Sequence, residues 1–123
     1  MKNLLLVFLG GGLGSVLRYL VAKHLPVLES LPYTGTLLVN VAGCFLLGFA
    51  TGFLASEQQR PLLLFLGVGV CGGLTTFSTF SLELFKLGMK DVFLTSLYLG
   101  ASLVLGILAL MGGLIWGKQL GLT

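Results

Sequence analysis

Four stretches of this chain, residues 4–22, 33–55, 62–85 and 92–116, are almost free of charge, and short polar turns separate them. At about 1.5 Å of rise per residue, each is long enough to cross the ~30 Å hydrocarbon core of a bilayer as a helix. Only 9% of the 123 residues are charged, against about a quarter in an average soluble domain. A soluble fold of this size would lack the polar surface to cover its exterior. Disorder is excluded by the 56% hydrophobic content. The pattern predicts an all-α integral membrane protein, with residues 1–123 forming a single four-helix transmembrane subunit.

The net charge of +3 rests on scattered basic residues, Lys2, Arg18, Lys23, Arg60, Lys86, Lys90 and Lys118. No patch among them matches a nucleic-acid backbone, and their places suit the flanks of membrane spans. Four spans put both termini on one side, with Lys2, Arg60 and Lys118; the other side carries Arg18, Lys23, Lys86 and Lys90. Three against four gives the positive-inside rule almost nothing to act on. Either another signal sets the orientation or the protein inserts both ways, and dual insertion would let two copies form an antiparallel dimer, an inverted repeat made from separate chains. Close-packing glycines such as Gly48-x-x-x-Gly52 leave little room for a pore inside one subunit.

The third run departs from the others. After residues 62–70 it meets Cys71-Gly72-Gly73-Leu74-Thr75-Thr76, where glycines disfavour a helix and threonine hydroxyls compete for backbone groups. About ten residues, or ~15 Å, precede this point, so a break at 71–76 falls at the bilayer midplane. Unpaired backbone there is tolerated only where it is buried in protein or lines a cavity or ion site. A packing kink is the plainer alternative. Elsewhere Asp91 reads as an N-cap for the fourth helix, and Trp116 suits an interfacial belt. The first run imitates a signal peptide but continues past Gly10-Gly11-Gly12, so it is read as a mature helix. Residues 23–32, with Pro26, Glu29 and Pro32, form a loop, and residues 56–61 a surface turn.

Uncharged polar groups line up inside these runs. Thr36, Asn40 and Gly43 share one face of the second helix. After the break, Phe77 and Phe80 fall on one side with Ser81, and Thr79 and Glu83 on the other. On the fourth helix Thr95, Tyr98, Ser102 and Gly106 form a polar-to-small stripe. Amide and hydroxyl donors and positive ring edges can contact a small anion without a cation to trap it. Interhelical glue for Asn40 and simple packing for the two phenylalanines remain the alternatives. Glu83, near a span end, is within reach of Lys86 at i+3 and can pair with it, and no embedded carboxylate marks proton coupling. There is no nucleophile–base pair or metal-ligand cluster, and the glycine run 10–14 follows no strand, so catalysis is not expected. Cys44 and Cys71 read as buried free thiols, and His24 as a solvated loop residue.

Three motifs carry a family resemblance: Gly-Gly-x-x-Gly-x-x-x-Arg-Tyr at 11–19, Gly-Thr-Leu-x-Val-Asn-x-x-Gly at 35–43, and Gly-Gly-Leu-Thr-Thr-Phe-Ser-Thr-Phe-Ser-x-Glu at 72–83. They resemble the Fluc (CrcB) fluoride channels. The resemblance implies a passive fluoride-selective channel, not an enzyme, that exports cytoplasmic fluoride through two pores per antiparallel homodimer. It implies residence in the cell inner (plasma) membrane in both orientations. It gives Asn40 the role of pore asparagine, Phe77 and Phe80 that of fluoride-contacting rings, and Ser78 and Thr79 that of neighbouring hydroxyls. Thr36, Tyr98 and Ser102 correspond to a polar track, beyond which this chain has Gly106 and Leu110. A structural sodium ion at the dimer centre, held by main-chain carbonyls, maps to Gly72 and Thr75. Arg18 matches an arginine of structural or vestibular role. Two other readings compete. A small dual-topology multidrug exporter needs an acid in the first span, where residues 4–16 have none; a non-transporting scaffold reduces the polar stripes to packing devices.

Overall fold

The computed structural model describes residues 1–24, 33–54 and 56–121. The loop positions Pro26, Glu29 and Pro32, and Ala55 at the end of the second run, lie outside the described residues. The chain forms α1 (Lys2–His24), α2 (Thr34–Phe53), a 3-10 turn (Glu57–Gln59), α3 (Arg60–Leu63), a π-helical segment (Leu64–Cys71), α4 (Gly72–Leu74), α5 (Phe77–Gly88) and α6 (Val92–Gly121). With the stretch Glu57–Gly88 taken as one unit, four spans are long and apolar enough to cross a membrane. Large side chains such as Leu4, Phe8 and Phe93 stand exposed on the outside, a surface suited to lipid.

Local chemistry sets the ends. Asp91 caps α6, its carboxylate accepting the Leu94 N–H at 2.9 Å, as the sequence predicts. Lys118 lies in the last turn of the same helix, where a cation complements the dipole. The turn between the second and third spans is tied by a Ser56–Gln59 capping box and by an exposed Arg60–Glu57 ion pair at 2.9 Å. Pro61 follows in the first turn of α3, where its missing N–H costs no helical bond. His24 is exposed and its ring Nδ1 lies 2.9 Å from the Leu20 carbonyl.

Glycines at four-residue spacing decide how the spans pack. Gly10 and Gly14 of α1 cross Gly69 and Gly73, and an added Cβ at any of the four would run into opposing backbone. Gly48 and Gly52 of α2 meet residues 110–118 of α6, and Gly113 and Gly117 meet Phe45, Phe49 and Phe53 in return. The α2–α6 contact is therefore a reciprocal pair of small-x-x-x-small motifs, of which the sequence analysis singled out one half. Such crossings let backbones approach closely where lipid gives no hydrophobic drive to associate. Aromatic rings cover the outer side of this contact: Trp116 packs on Phe45 and Phe49 at 5.9 and 5.4 Å between ring centroids.

The helical interruption is shorter than expected. Residues 71–74 stay helical, and only Thr75 (φ −79°, ψ 156°) and Thr76 (φ −149°, ψ 118°) are extended. The paired glycines do not end the helix, because Gly73 fits against the Gly11 carbonyl and Ser15 of α1, and that crossing outweighs weak propensity. The threonines do end it. Thr75 Oγ1 donates back to the Cys71 carbonyl at 2.9 Å, and Thr76 Oγ1 accepts the Thr79 N–H at 3.2 Å to start α5.

These crossings predict that Gly48→Leu or Gly113→Leu destabilises the subunit by about 1–3 kcal/mol or more through overpacking. Gly100→Ala, where an added Cβ meets nothing within 4 Å, should be close to neutral. Thermal unfolding of the detergent-purified variants checks both.

Candidate functional site

The interruption leaves backbone groups to be satisfied, and Asn40 takes them. The Thr76 N–H donates to Asn40 Oδ1 at 2.8 Å, and Asn40 Nδ2 donates to the Thr76 carbonyl at 3.3 Å. The amide thus clasps one extended residue from both sides, and its second N–H is left for another acceptor. This is the interhelical role weighed above. Thr76 in turn organises the start of α5, its Oγ1 donating to Thr79 Oγ1 at 3.1 Å and lying 3.3 Å from Ser78 Oγ.

Two concavities flank this clasp and share Thr76. The larger, ≈ 400 Å³, has a wall that includes Asn40, Cys44, Cys71, Gly72, Thr75, Phe77, Phe80 and Ser102, and among the described residues no charged one lines it. Within it the Ser102 hydroxyl is buried and has no hydrogen-bond partner among the described residues. The smaller, ≈ 280 Å³, is lined by Arg18 with Ser15, Tyr19, Thr36, Thr76 and Thr79 among others. The predicted residues are therefore divided, with Thr36 and Thr79 in the cavity that holds Arg18. Ser78 lines neither and stays beside Thr76.

Phe77 and Phe80, read as sharing a side, have opposite surroundings. Phe80 is 7% exposed, whereas Phe77 is 80% exposed and projects from the subunit. Their ring centroids are 6.3 Å apart. Phe80 is buried because Tyr98 of α6 meets it edge-on at 5.3 Å, and Tyr98 packs in turn on Tyr33 at 6.0 Å.

The expectation for Glu83 is corrected. It does not pair with Lys86: Thr36 Oγ1 donates to its Oε1 at 2.6 Å and the Tyr98 hydroxyl to its Oε2 at 2.8 Å. Glu83 lies six residues from the start of α5, on the turn that faces α2 and α6, so two hydroxyls reach it before a flexible lysine does. Two members of the predicted polar track are thereby committed to a carboxylate that the sequence analysis set aside. The signal was available: Thr36 and Tyr98 each lie on a polar stripe of an apolar helix, and hydroxyls withdrawn from water need acceptors. Thr95 likewise bonds locally, to the Asp91 carbonyl at 2.7 Å.

A four-span helical bundle with glycine crossings and an interrupted third span is a multi-pass membrane protein. Residues 5–114 match the family model described as CrcB-like protein, Camphor Resistance (CrcB). The chain is 48% identical to a fluoride-specific ion channel FluC of Phocaeicola vulgatus over 97% of this chain and 100% of the relative. It is 48% identical to one of Pyrococcus furiosus, over 79% of this chain and 80% of the relative. A third, fluoride-specific ion channel FluC 2 of Bacillus subtilis, is 43% identical over 98% and 91%. The chain belongs to the CrcB family, whose named relatives are ion channels and not enzymes.

Replacing Asn40 with Ala strands the Thr76 N–H and carbonyl, and the expected cost is about 2–4 kcal/mol of subunit stability. Thr51→Ala removes only a hydroxyl bonded to its own helix and should stay within about 0.5 kcal/mol of the parent. Thermal unfolding in detergent distinguishes the two.

Proposed function

We propose that this chain forms a passive, fluoride-selective channel through which cytoplasmic fluoride leaves the cell, with two pores per antiparallel, dual-topology homodimer. The observation that carries the reading is the uncharged cavity in which the unpartnered Ser102 hydroxyl, the Asn40 amide and the rings of Phe77 and Phe80 converge. The identity of the ion comes from the relatives, which are named for fluoride.

The physical requirements agree. Fluoride is small and strongly hydrated, so a pore must replace water with several donors and still let the ion go. The second Asn40 N–H, the Ser102 hydroxyl and positive ring edges of Phe77 and Phe80 offer partial charges without a fixed cation. Ser78 and Thr79 extend these donors on the α5 side, and Thr36 and Tyr98 continue the track once Glu83 releases their hydroxyls. Arg18, in the neighbouring cavity, draws anions toward the entrance by its field. The exposure of Phe77 supports a second subunit: a large ring projecting from the wall of this cavity is placed to reach a pathway completed by the partner copy. Hydrogen fluoride crosses membranes neutral and ionises in the less acidic cytoplasm, so a passive conductance lets the trapped anion leave down its gradient.

A structural sodium ion at the dimer centre fits the main chain here. The carbonyls assigned to it belong to Gly72 and Thr75, and the N–H four residues beyond each is diverted: that of Thr76 to Asn40, and that of Thr79 to the Thr76 hydroxyl. Both carbonyls thus lose their usual helical donors, and oxygen ligands of this kind suit a hard cation. Such an ion would neutralise carbonyl charge at the interruption and join the two subunits without buried acids.

Fluoride efflux from reconstituted liposomes in sodium buffer, followed with a fluoride electrode and repeated with chloride, tests the reading. Valinomycin-dependent fluoride release with chloride retained is expected. Phe80→Ile should lower flux sharply with dimer elution unchanged on a sizing column, and Ser102→Ala should lower it about tenfold, the worth of one hydrogen bond. No fluoride flux from a folded wild-type dimer overturns the proposal.

A further inference from the structure

The second and third spans run past each other in a clear register. Asn40 lies opposite Thr76, Gly43 lies against Thr75 and Leu74, and Leu47 Cδ1 lies 3.2 Å from where a Cβ on Gly67 would be. Cys44 is one turn beyond Asn40 and three residues before Leu47; Cys71 is one turn before Thr75 and one turn beyond Gly67. Cys44 and Cys71 therefore fall, by register, on the rung between the Gly43–Thr75 and Leu47–Gly67 contacts, one on each helix. Both line the larger cavity, and both are free. The Cys44 sulfur also faces Gly106 of α6, 3.5 Å from where a Cβ there would stand, so the missing side chain leaves it room.

We propose that Cys44 and Cys71 form a two-coordinate site for a thiophilic cation, such as mercuric, silver or cuprous ion, built into the wall of this cavity. Soft thiolates select soft metals, and the number of ligands selects among them. Among the described residues no group of three or more His, Cys, Asp and Glu side chains comes together, so a tetrahedral zinc ion lacks its ligand set. Two sulfurs from facing helices instead match the linear geometry of these d10 cations. On binding mercuric ion, two S–Hg bonds form and two S–H bonds break; both protons pass to solvent, and no electrons are transferred.

The site has a mechanical consequence. The Cys71 carbonyl accepts both the Thr75 N–H and the Thr75 hydroxyl, each at 2.9 Å, so Cys71 anchors the last helical turn before the extended residues. A cation bridging Cys71 to Cys44 ties that turn to α2 one rung from the Asn40–Thr76 clasp and fills the wall shared with Phe80 and Ser102. Resting on the fluoride-channel reading, this makes the thiol pair an inhibitory site for soft metals.

The test uses the intact protein and mercuric acetate in the presence of excess monothiol competitor, which strips singly bound mercury. In detergent without fluoride, the wild type should retain one mercury per subunit with a sulfur-to-mercury charge-transfer band. Cys44→Ser and Cys71→Ser should each weaken retention by about 10²–10⁴-fold, the gain that a second linked ligand confers. Wild-type retention by either single variant, two mercury ions per wild-type subunit, or none at all overturns the site. This readout is independent of channel activity. In liposomes, wild-type fluoride efflux should collapse on mercury loading and return with a dithiol, while each serine variant, measured against its own unloaded efflux, should lose far less; full efflux from loaded wild type overturns the inhibitory role.

Discussion

Everything near the cavity depends on one side chain satisfying one extended residue. A helix interrupted inside a membrane exposes amide and carbonyl groups that have no water to turn to, and each unsatisfied group costs several kcal/mol. Asn40 answers this by donating to and accepting from Thr76, which fixes the third span to α2 where the helix is interrupted. Thr76 then spends its hydroxyl on α5, bonding the Thr79 N–H and hydroxyl. The direction in which α5 leaves, and hence the positions of Phe77, Phe80 and Glu83, follow from that clasp.

The glycine crossings supply the frame that holds it. With Gly10 and Gly14 seated on Gly69 and Gly73, α1 fixes the first half of the third span. With Gly48 and Gly52 seated against residues 110–118, and Gly113 and Gly117 against Phe45, Phe49 and Phe53, α2 and α6 form one closely packed pair. The second half of the third span is then held by side chains reaching from these two helices: Thr36 and Tyr98 onto Glu83, and the Tyr98 ring onto Phe80. The crossings leave the backbone no freedom to fill the space beside the interruption, so polar side chains of three spans share it.

Much of this was legible beforehand. The four spans follow from the length of the apolar runs, and the observed helices extend those runs by a few residues at most ends. The Asp91 cap follows from its place before an apolar run. An interruption within residues 71–76 follows from the paired glycines and threonines, and of the two it is the threonines, whose hydroxyls compete for backbone groups, that end the helix. What misled was reading residues one helix at a time. Gly72 and Gly73 weaken an isolated helix, yet Gly73 serves this one, since α1 packs where its side chain would stand, while a Cβ on Gly72 would meet nothing within 4 Å. Phe77 and Phe80 share a helical side, yet one is covered and one is bare, because only Phe80 meets Tyr98. Glu83 has Lys86 in reach along its own helix but finds Thr36 and Tyr98 across space.

The sequence by itself determined that the chain lives in a bilayer as four helices, that the third is interrupted somewhere within residues 71–76, and which motifs tie it to its family. Those properties depend on local composition, length and spacing, which lipid reads directly. Only the tertiary structure decided that Asn40 is spent on Thr76, that Glu83 gathers two hydroxyls, that Ser102 is left without a partner, and that Cys44 and Cys71 share a rung. Each of these is a pairing between helices distant in sequence. Helical spacing determines which residues share a face, but the close approach allowed by the glycines determines what that face meets.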